Sequence, residues 1–326
     1  MAICVLAAGG WKLLGKSVKS QVECAANMEG CGSGSGGGAN GSGGSGGNSE
    51  SSAATGPAGG PPQALAFTAA DTPGGGSFGE QVSGQAPKPI DGTFADIAAD
   101  VSRGTPGTGS IDGFTRLTDE QLQAAGIDPS SLRDPSSGFQ AGIYRDANGN
   151  TVLAYSGSND LKDWKTNFTQ GLGFNDAQYN QAISLAKDAK AAFGDDLVIT
   201  GHSLGGGLAA TGAIATGSPA VTFNASGVND KTIQRLDLDP DAVRQQAENG
   251  QIRRYAVDGE ILTNLQEKNI ATRGVMPDAL GHKITLPDPK PLSGIQKWIP
   301  GARTKHGIDL HLIGPVQDSI RKYPPW

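Results

Sequence analysis

The sequence predicts an α/β fold, with a mostly parallel central sheet flanked by helices on both faces. Two observations carry that prediction. From residue 150 onward, short apolar runs of strand length alternate with longer stretches of helical spacing. One of those runs, Leu197-Val-Ile-Thr200, feeds directly into the sharp turn Gly201–Gly207 and then into a helix-like run. The 50 glycines among 326 residues fit the same picture, because much of the excess lies before residue 80 and describes a tail.

The elements follow in chain order. Residues 1–31 form a short N-terminal element. Its apolar start, Met1–Gly10, has no basic residue before it, whereas Lys12, Lys16 and Lys19 come after. That order is the reverse of a Sec leader. A cleavable signal, a short amphipathic anchor and a secretion-recognition tail all remain open readings. Residues 32–90 are rich in Gly, Ser, Ala and Pro and carry few large apolar side chains, so they are expected to be a linker. All three cysteines, Cys4, Cys24 and Cys31, precede the folded part, which argues against a disulfide framework or a zinc site there.

The folded domain is expected over 91–326. Phe94–Val101 has helical apolar spacing, and Thr118 with Gln121 makes a capping box for a second helix. Phe139–Tyr144 and Thr151–Tyr155 are strands flanking a hairpin turn at Asp146–Asn150. Helices are expected over Leu161–Phe168, Asp176–Phe193 and Leu208–Thr216, with a polar helical stretch near Asp241–Glu248. Further strands are expected at Asp196–Thr200, Ala220–Phe223 and Ile252–Val257.

Charge excludes one class of function. A net charge of −6 leaves no electrostatic footprint for nucleic acid. It also gives no broad attraction to an anionic bilayer, so lipid contact must be local and apolar. No apolar run reaches the roughly 18 residues that span a bilayer, so an integral membrane protein is not expected.

Gly201-His-Ser-Leu-Gly205 fits the pattern G-x-S-x-G. The pattern alone says little, because Gly43–Gly47 and Gly75–Gly79 match it too. Context separates them: only Ser203 lies between a strand-like and a helix-like run. A strand-to-helix turn exposes a serine hydroxyl above the sheet, and small flanking residues relieve the crowding there. The helix that follows points its positive end at the place where an oxyanion forms, which makes the Leu204 N–H a donor for it. The plain alternative is a Gly-rich turn of an ordinary α/β protein.

A serine nucleophile needs a base, normally histidine, and a carboxylate to orient it. Of the four histidines, His202 adjoins Ser203 and should point away from it. His306 is the chosen base, from the segment Thr304–Asp309 read as a loop before a terminal helix. His311, inside an apolar run, and His282 are the alternatives. The chosen acid is Asp258, at the end of the apolar run Tyr255–Val257, with Glu260 as runner-up. Asp237, Asp239 and Asp241 lie in a polar loop with no strand before them.

These residues together resemble the class 3 (fungal-type) lipases of the α/β-hydrolase fold, and more closely the bacterial class 3-like phospholipase toxins delivered by secretion systems. The resemblance covers roughly residues 138–320. It rests on Leu197–Gly207, on Val152–Ser158 with Asp163, Trp164 and Asn167, and on Ala256–Asp258 with His306–Asp309. It implies a second oxyanion donor at Ser158, where the family's Arg-Gly-Thr turn reads Ser-Gly-Ser and lacks the arginine. It implies a secreted or injected bacterial effector acting on lipid or phospholipid esters, with transient membrane-surface contact and no cofactor or metal. A secretion-system component meeting the tail and an immunity or inhibitor protein are implied partners. Leu161–Phe174, with Trp164, Phe168, Leu172 and Phe174, would be a lid, an acyl-binding wall or ordinary core. The rival functions are a small-ester esterase, thioesterase or polyester depolymerase, and a catalytically silent binding protein of the same fold.

Overall fold

The computed structural model describes residues 76–103, 107, 109–157, 176–268 and 276–326. The expected N-terminal element and most of the linker lie outside the described residues. So do Ser158, the helix at Leu161–Phe168 and the whole stretch Leu161–Phe174.

Among the described residues the sheet has eight strands: β1 (Thr115–Arg116), β2 (Arg133–Asp134), β3 (Phe139–Arg145), β4 (Thr151–Tyr155), β5 (Leu197–His202), β6 (Ala220–Phe223), β7 (Ile252–Val257) and β8 (His282–Leu286). β3 and β4 form the antiparallel hairpin, and β4 through β8 run parallel in sequence order. The hairpin closes through Asp146, whose side chain accepts the N–H groups of Asn148 and Asn150.

Continuous apolar runs, with no alternation, are what a sheet buried on both faces requires. Leu197 and Ile199 of β5 point into one core with Leu153 and Tyr155 of β4, while Val198 joins Val152 and Ala154 in the other. Helices α4 (Asp176–Phe193) and α5 (Leu204–Thr216) cover the first face. Helix α2 (Ile90–Val101) and the terminal α10 (Ile313–Lys322) cover the second. The Thr118–Gln121 capping box is present at the start of α3 (Asp119–Ala124). Strands β1, β2 and β8 were missed by sequence reasoning: the first two are only two polar residues long, and the partly exposed residues of β8 break the apolar run that marked β3 to β7.

The linker expected to extend to residue 90 ends earlier. Residues 78–82 form helix α1 (Phe78–Val82), capped by Ser77 and Glu80. Phe78 and Val82 are buried in the second core. The segment is tied to β7 by Arg253, which is 1 % exposed. Its guanidinium donates to Val82 O, to Gly84 O at 2.9 Å, and to both carboxylate oxygens of the buried Asp91 at 2.6 and 3.0 Å. Tyr255 Oη donates to the same carboxylate at 2.6 Å. A fork of five donors satisfies a buried carboxylate and two carbonyls together, and this lets so polar a cluster sit in the core. The folded part therefore includes residues 76–90, where composition alone showed only a polar, small-residue stretch. Among the described residues, no helix is long and apolar enough to cross a membrane.

Candidate active site

Ser203 stands between β5 and α5 with φ 58° and ψ −124°, a backbone conformation that L-residues rarely adopt. The strain is fixed from both sides. Ser203 N donates to Phe223 O at 3.0 Å, and Ser203 O accepts from Ser226 N at 2.9 Å. Glycine is needed at two neighbours: a Cβ on Gly201 would lie 2.2 Å from Gly205 O, and one on Gly205 would lie 2.2 Å from Tyr155 O. α5 begins at Leu204, four residues earlier than the apolar pattern suggested. Its first N–H groups have no intrahelical acceptor.

His311, not His306, reaches the serine. Its Nε2 is 2.8 Å from Ser203 Oγ, and its Nδ1 is 2.8 Å from Glu260 Oε2. His306 instead pairs with Asp288, Nε2 to Oδ2 at 2.6 Å. His282 lies in β8 with Nδ1 2.8 Å from Glu248 Oε1. The reason is a helix boundary. Residues 302–311, in part expected to be loop, form helix α9 (Ala302–His311). Residues five apart on a helix point about 140° away from each other, so His306 and His311 cannot serve one site.

The chain breaks after His311 because of Pro315. A proline ring clashes with the carbonyl four residues back and supplies no N–H to it. Leu312 accordingly takes an extended ψ of 155°, and α10 starts afresh at Ile313 with the proline in its first turn. The freed His311 carbonyl is captured by His202 Nε2–H at 2.6 Å and Asn224 Nδ2 at 3.0 Å. Asn224 also donates to Leu310 O at 3.1 Å and accepts Val257 N–H at 3.0 Å. It thus links the ends of β6, β7 and α9. The His202 ring also packs against that of His311, centroids 5.3 Å apart. Burial first, and then the neighbouring His311, push His202 down to about 3, so it is a neutral donor. Neither His202 nor Asn224 was singled out as part of the site from sequence; a proline four residues after a histidine was the available signal.

The carboxylate on His311 belongs to Glu260, not Asp258. Asp258 and Gly259 form an exposed turn, with Asp258 N–H donating to Leu286 O at 2.8 Å. Glu260 follows, fully buried, as the N-cap of α8 (Ile261–Thr263), accepting from Leu262 N at 2.8 Å and Thr263 N at 2.5 Å. The turn faces outward before the chain re-enters, and the longer Glu side chain spans the remaining gap. Burial alone would raise the Glu260 carboxyl. The hydrogen bonds from His311 and Thr263 and the attraction to His311 outweigh it and hold the group below its ordinary value. Glu260 thus accepts His311 Nδ1–H, which leaves Nε2 as acceptor for the serine hydroxyl. Asp237 and Asp239 stay in the loop between α6 (Asp230–Gln234) and α7 (Pro240–Gln246), which Asp239 caps, and Asp241 lies in the first turn of α7.

The end of β4 reaches the same point. A Cβ on Gly157 would lie 3.5 Å from Ser203 Cβ and 3.9 Å from Leu204 N. Ser158, expected as the second oxyanion donor, is the next residue. A polarised serine hydroxyl beside open helix N–H groups is equipped for attack on an acyl carbon and for holding the oxyanion that results.

A family model described as phospholipase-like, a Tle-like phospholipase domain, matches residues 93–303. An extracellular phospholipase A1 of Serratia liquefaciens is 48% identical over 263 residues, which cover 81% of this chain and 78% of that protein. Among solved structures, a mutant form of MDLA from Penicillium cyclopium is similar with a TM-score of 0.40 and 15% identity, over 63% of this chain and 82% of that one. A family match through the elements that carry Ser203 and Glu260, and a relative about half identical across four-fifths of the length, show that the chain belongs to the Tle-like phospholipase family.

Proposed function

We propose that this chain hydrolyses an acyl ester of glycerophospholipids through Ser203, His311 and Glu260. One observation carries the reading: the unbroken chain of contacts Ser203 Oγ to His311 Nε2 and His311 Nδ1 to Glu260, each 2.8 Å. Ser203 attacks the ester carbonyl as His311 takes its proton, and the tetrahedral oxyanion is held by the Leu204 N–H and, in this proposal, by Ser158. Collapse expels the lysolipid, which takes the proton from His311. Water, deprotonated by the same imidazole, then releases the fatty acid. Glu260 fixes the tautomer and balances the imidazolium. The relative named phospholipase A1 supports the sn-1 ester as the bond cleaved.

The test is phospholipid hydrolysis by the purified protein beside Ser203→Ala, with products identified by mass spectrometry. Fatty acid with 2-acyl lysolipid from the wild type and none from the variant fits the proposal. Cleavage of a soluble nitrophenyl ester but of no phospholipid would favour a small-ester esterase, and inertness of both proteins to every ester would favour a silent binding fold.

The same reading places the activity outside the producing cell, supported by the extracellular relative. Secretion through a component that meets the N-terminal tail, and an inhibitor that protects the producer, complete the proposal. Phospholipase activity found only inside the producing cells would oppose the first, and a producer unharmed by uninhibited enzyme would oppose the second.

A further inference from the structure

Among the described residues, the three most exposed large apolar side chains gather in one short segment. Trp298 is 87 % exposed, Ile295 82 % and Ile299 54 %. They flank or lie in the single turn Gln296–Trp298. Ile295 and Trp298 are three apart, a spacing that eclipses side chains on a 3₁₀ turn and puts them on one side. The turn is held together internally: Trp298 N donates to Ile295 O at 3.1 Å, and Gln296 Oε1 accepts from Ser293 N at 2.9 Å and Ser293 Oγ at 3.0 Å. Pro291 and Pro300 bracket it, and α9 starts directly after Gly301. Exposing a tryptophan and two isoleucines on a preorganised turn is costly in water unless something covers them.

The charges around the turn indicate what that is. Residues 289–305 hold Lys290, Lys297, Arg303 and Lys305 and no carboxylate, in a chain whose net charge is −6. Lys290 and Lys305 pair with exposed Asp318 and Asp309. Among the described residues, Lys297 and Arg303 have no carboxylate within ion-pair distance. A second copy of the chain would bring these cations against their own kind. An anionic phospholipid surface offers opposite charge and, beneath it, an apolar layer of the depth a tryptophan fills. The position suits such a surface. α9 runs from this turn to His311, ten residues and thus about 15 Å, and Leu312, 37 % exposed, adjoins the site at its far end.

We infer that the turn Ile295–Ile299, with Lys297 and Arg303, is the element by which this protein docks on anionic phospholipid bilayers. The inference deepens the phospholipid reading of the Ser203 site and rests on it. Docking sets Ile295, Trp298 and Ile299 at the headgroup level and holds the lipid surface within one helix length of the nucleophile.

The test uses the full chain carrying Ser203→Ala, so that lipid is not consumed, in flotation with vesicles of phosphatidylcholine alone or mixed with phosphatidylglycerol. The parent is expected to float with the mixed vesicles. Adding Ile295→Ser, Trp298→Ser and Ile299→Ser should weaken binding roughly ten-fold or more, and adding Lys297→Glu and Arg303→Glu should abolish the preference for the anionic lipid. With Ser203 intact, the triple serine variant should lose vesicle hydrolysis to the same degree, while turnover of a soluble short-chain ester stays within about two-fold. Unchanged flotation of the triple variant overturns the inference. So does equal loss on the soluble ester, or conversion of a dimeric parent to a monomer with vesicle binding intact, which would make the turn a surface between copies. Flotation as expected from a protein inert to every ester would leave the docking element standing and remove the hydrolase reading.

Discussion

His202 Nε2 donates to the main-chain carbonyl of His311 at 2.6 Å. The residue beside Ser203 thereby grips the backbone of the histidine that faces that serine. With Asn224 on the same carbonyl and Glu260 on Nδ1, the His311 imidazole is fixed at its main chain and at its ring. Loosening the main-chain grip should misplace the base without removing it. His202→Ala and Asn224→Ala are each expected to lower kcat by roughly ten- to a hundred-fold with little change in KM on a soluble ester.

The same burial gives a pH signature. His202 stays neutral in the fold down to about 3, whereas in the unfolded chain it takes up a proton near 6.5. The unfolded state therefore binds more protons across that window, and stability falls as the pH drops through it, by on the order of 5 kcal/mol at full extent. Denaturant unfolding of His202→Asn should show a shallower loss between about pH 6 and pH 4 than the wild type. Glu260, held below its ordinary value, adds stability that is present above the unfolded carboxylate's pKa and lost as the pH falls through its own.

Ser203 as a candidate and the central strands of the sheet were legible because each rests on local sequence. The strand and the glycines at 201 and 205 mark Ser203 unaided. The partners were legible only to within a few residues. Asp258 and Glu260 both follow the β7 run, and which one turns inward depends on the Asp258-Gly259 turn. His306 and His311 both precede the last helix, and the choice between them turns on Pro315 setting the break after residue 311. The segment 76–90 was hidden for another reason: what holds it is Arg253, more than 160 residues away in sequence.

That anchor is open to a stability test. Removing one partner of a buried ion pair leaves the other unpaired, so Asp91→Ala should destabilise by about 3–5 kcal/mol in chemical denaturation. Phe78→Ala should cost a similar amount, about 3–5 kcal/mol, by opening the second core. If residues 76–90 were a linker, Phe78→Ala would not register.

The carboxylate assignment separates two residues only two apart. Glu260→Gln should reduce kcat/KM by roughly 10³-fold or more, because the amide cannot hold the His311 tautomer or balance its charge. Asp258→Asn should stay within a few-fold. Both are checked by steady-state hydrolysis of a soluble ester.

The most direct test of the proposed site is kcat/KM on a soluble ester for His311→Ala beside His306→Ala, with both variants shown to be folded by circular dichroism. A loss of roughly 10³-fold or more in His311→Ala, with His306→Ala within a few-fold of wild type, is the predicted result. Retained activity in His311→Ala together with its loss in His306→Ala would contradict the account.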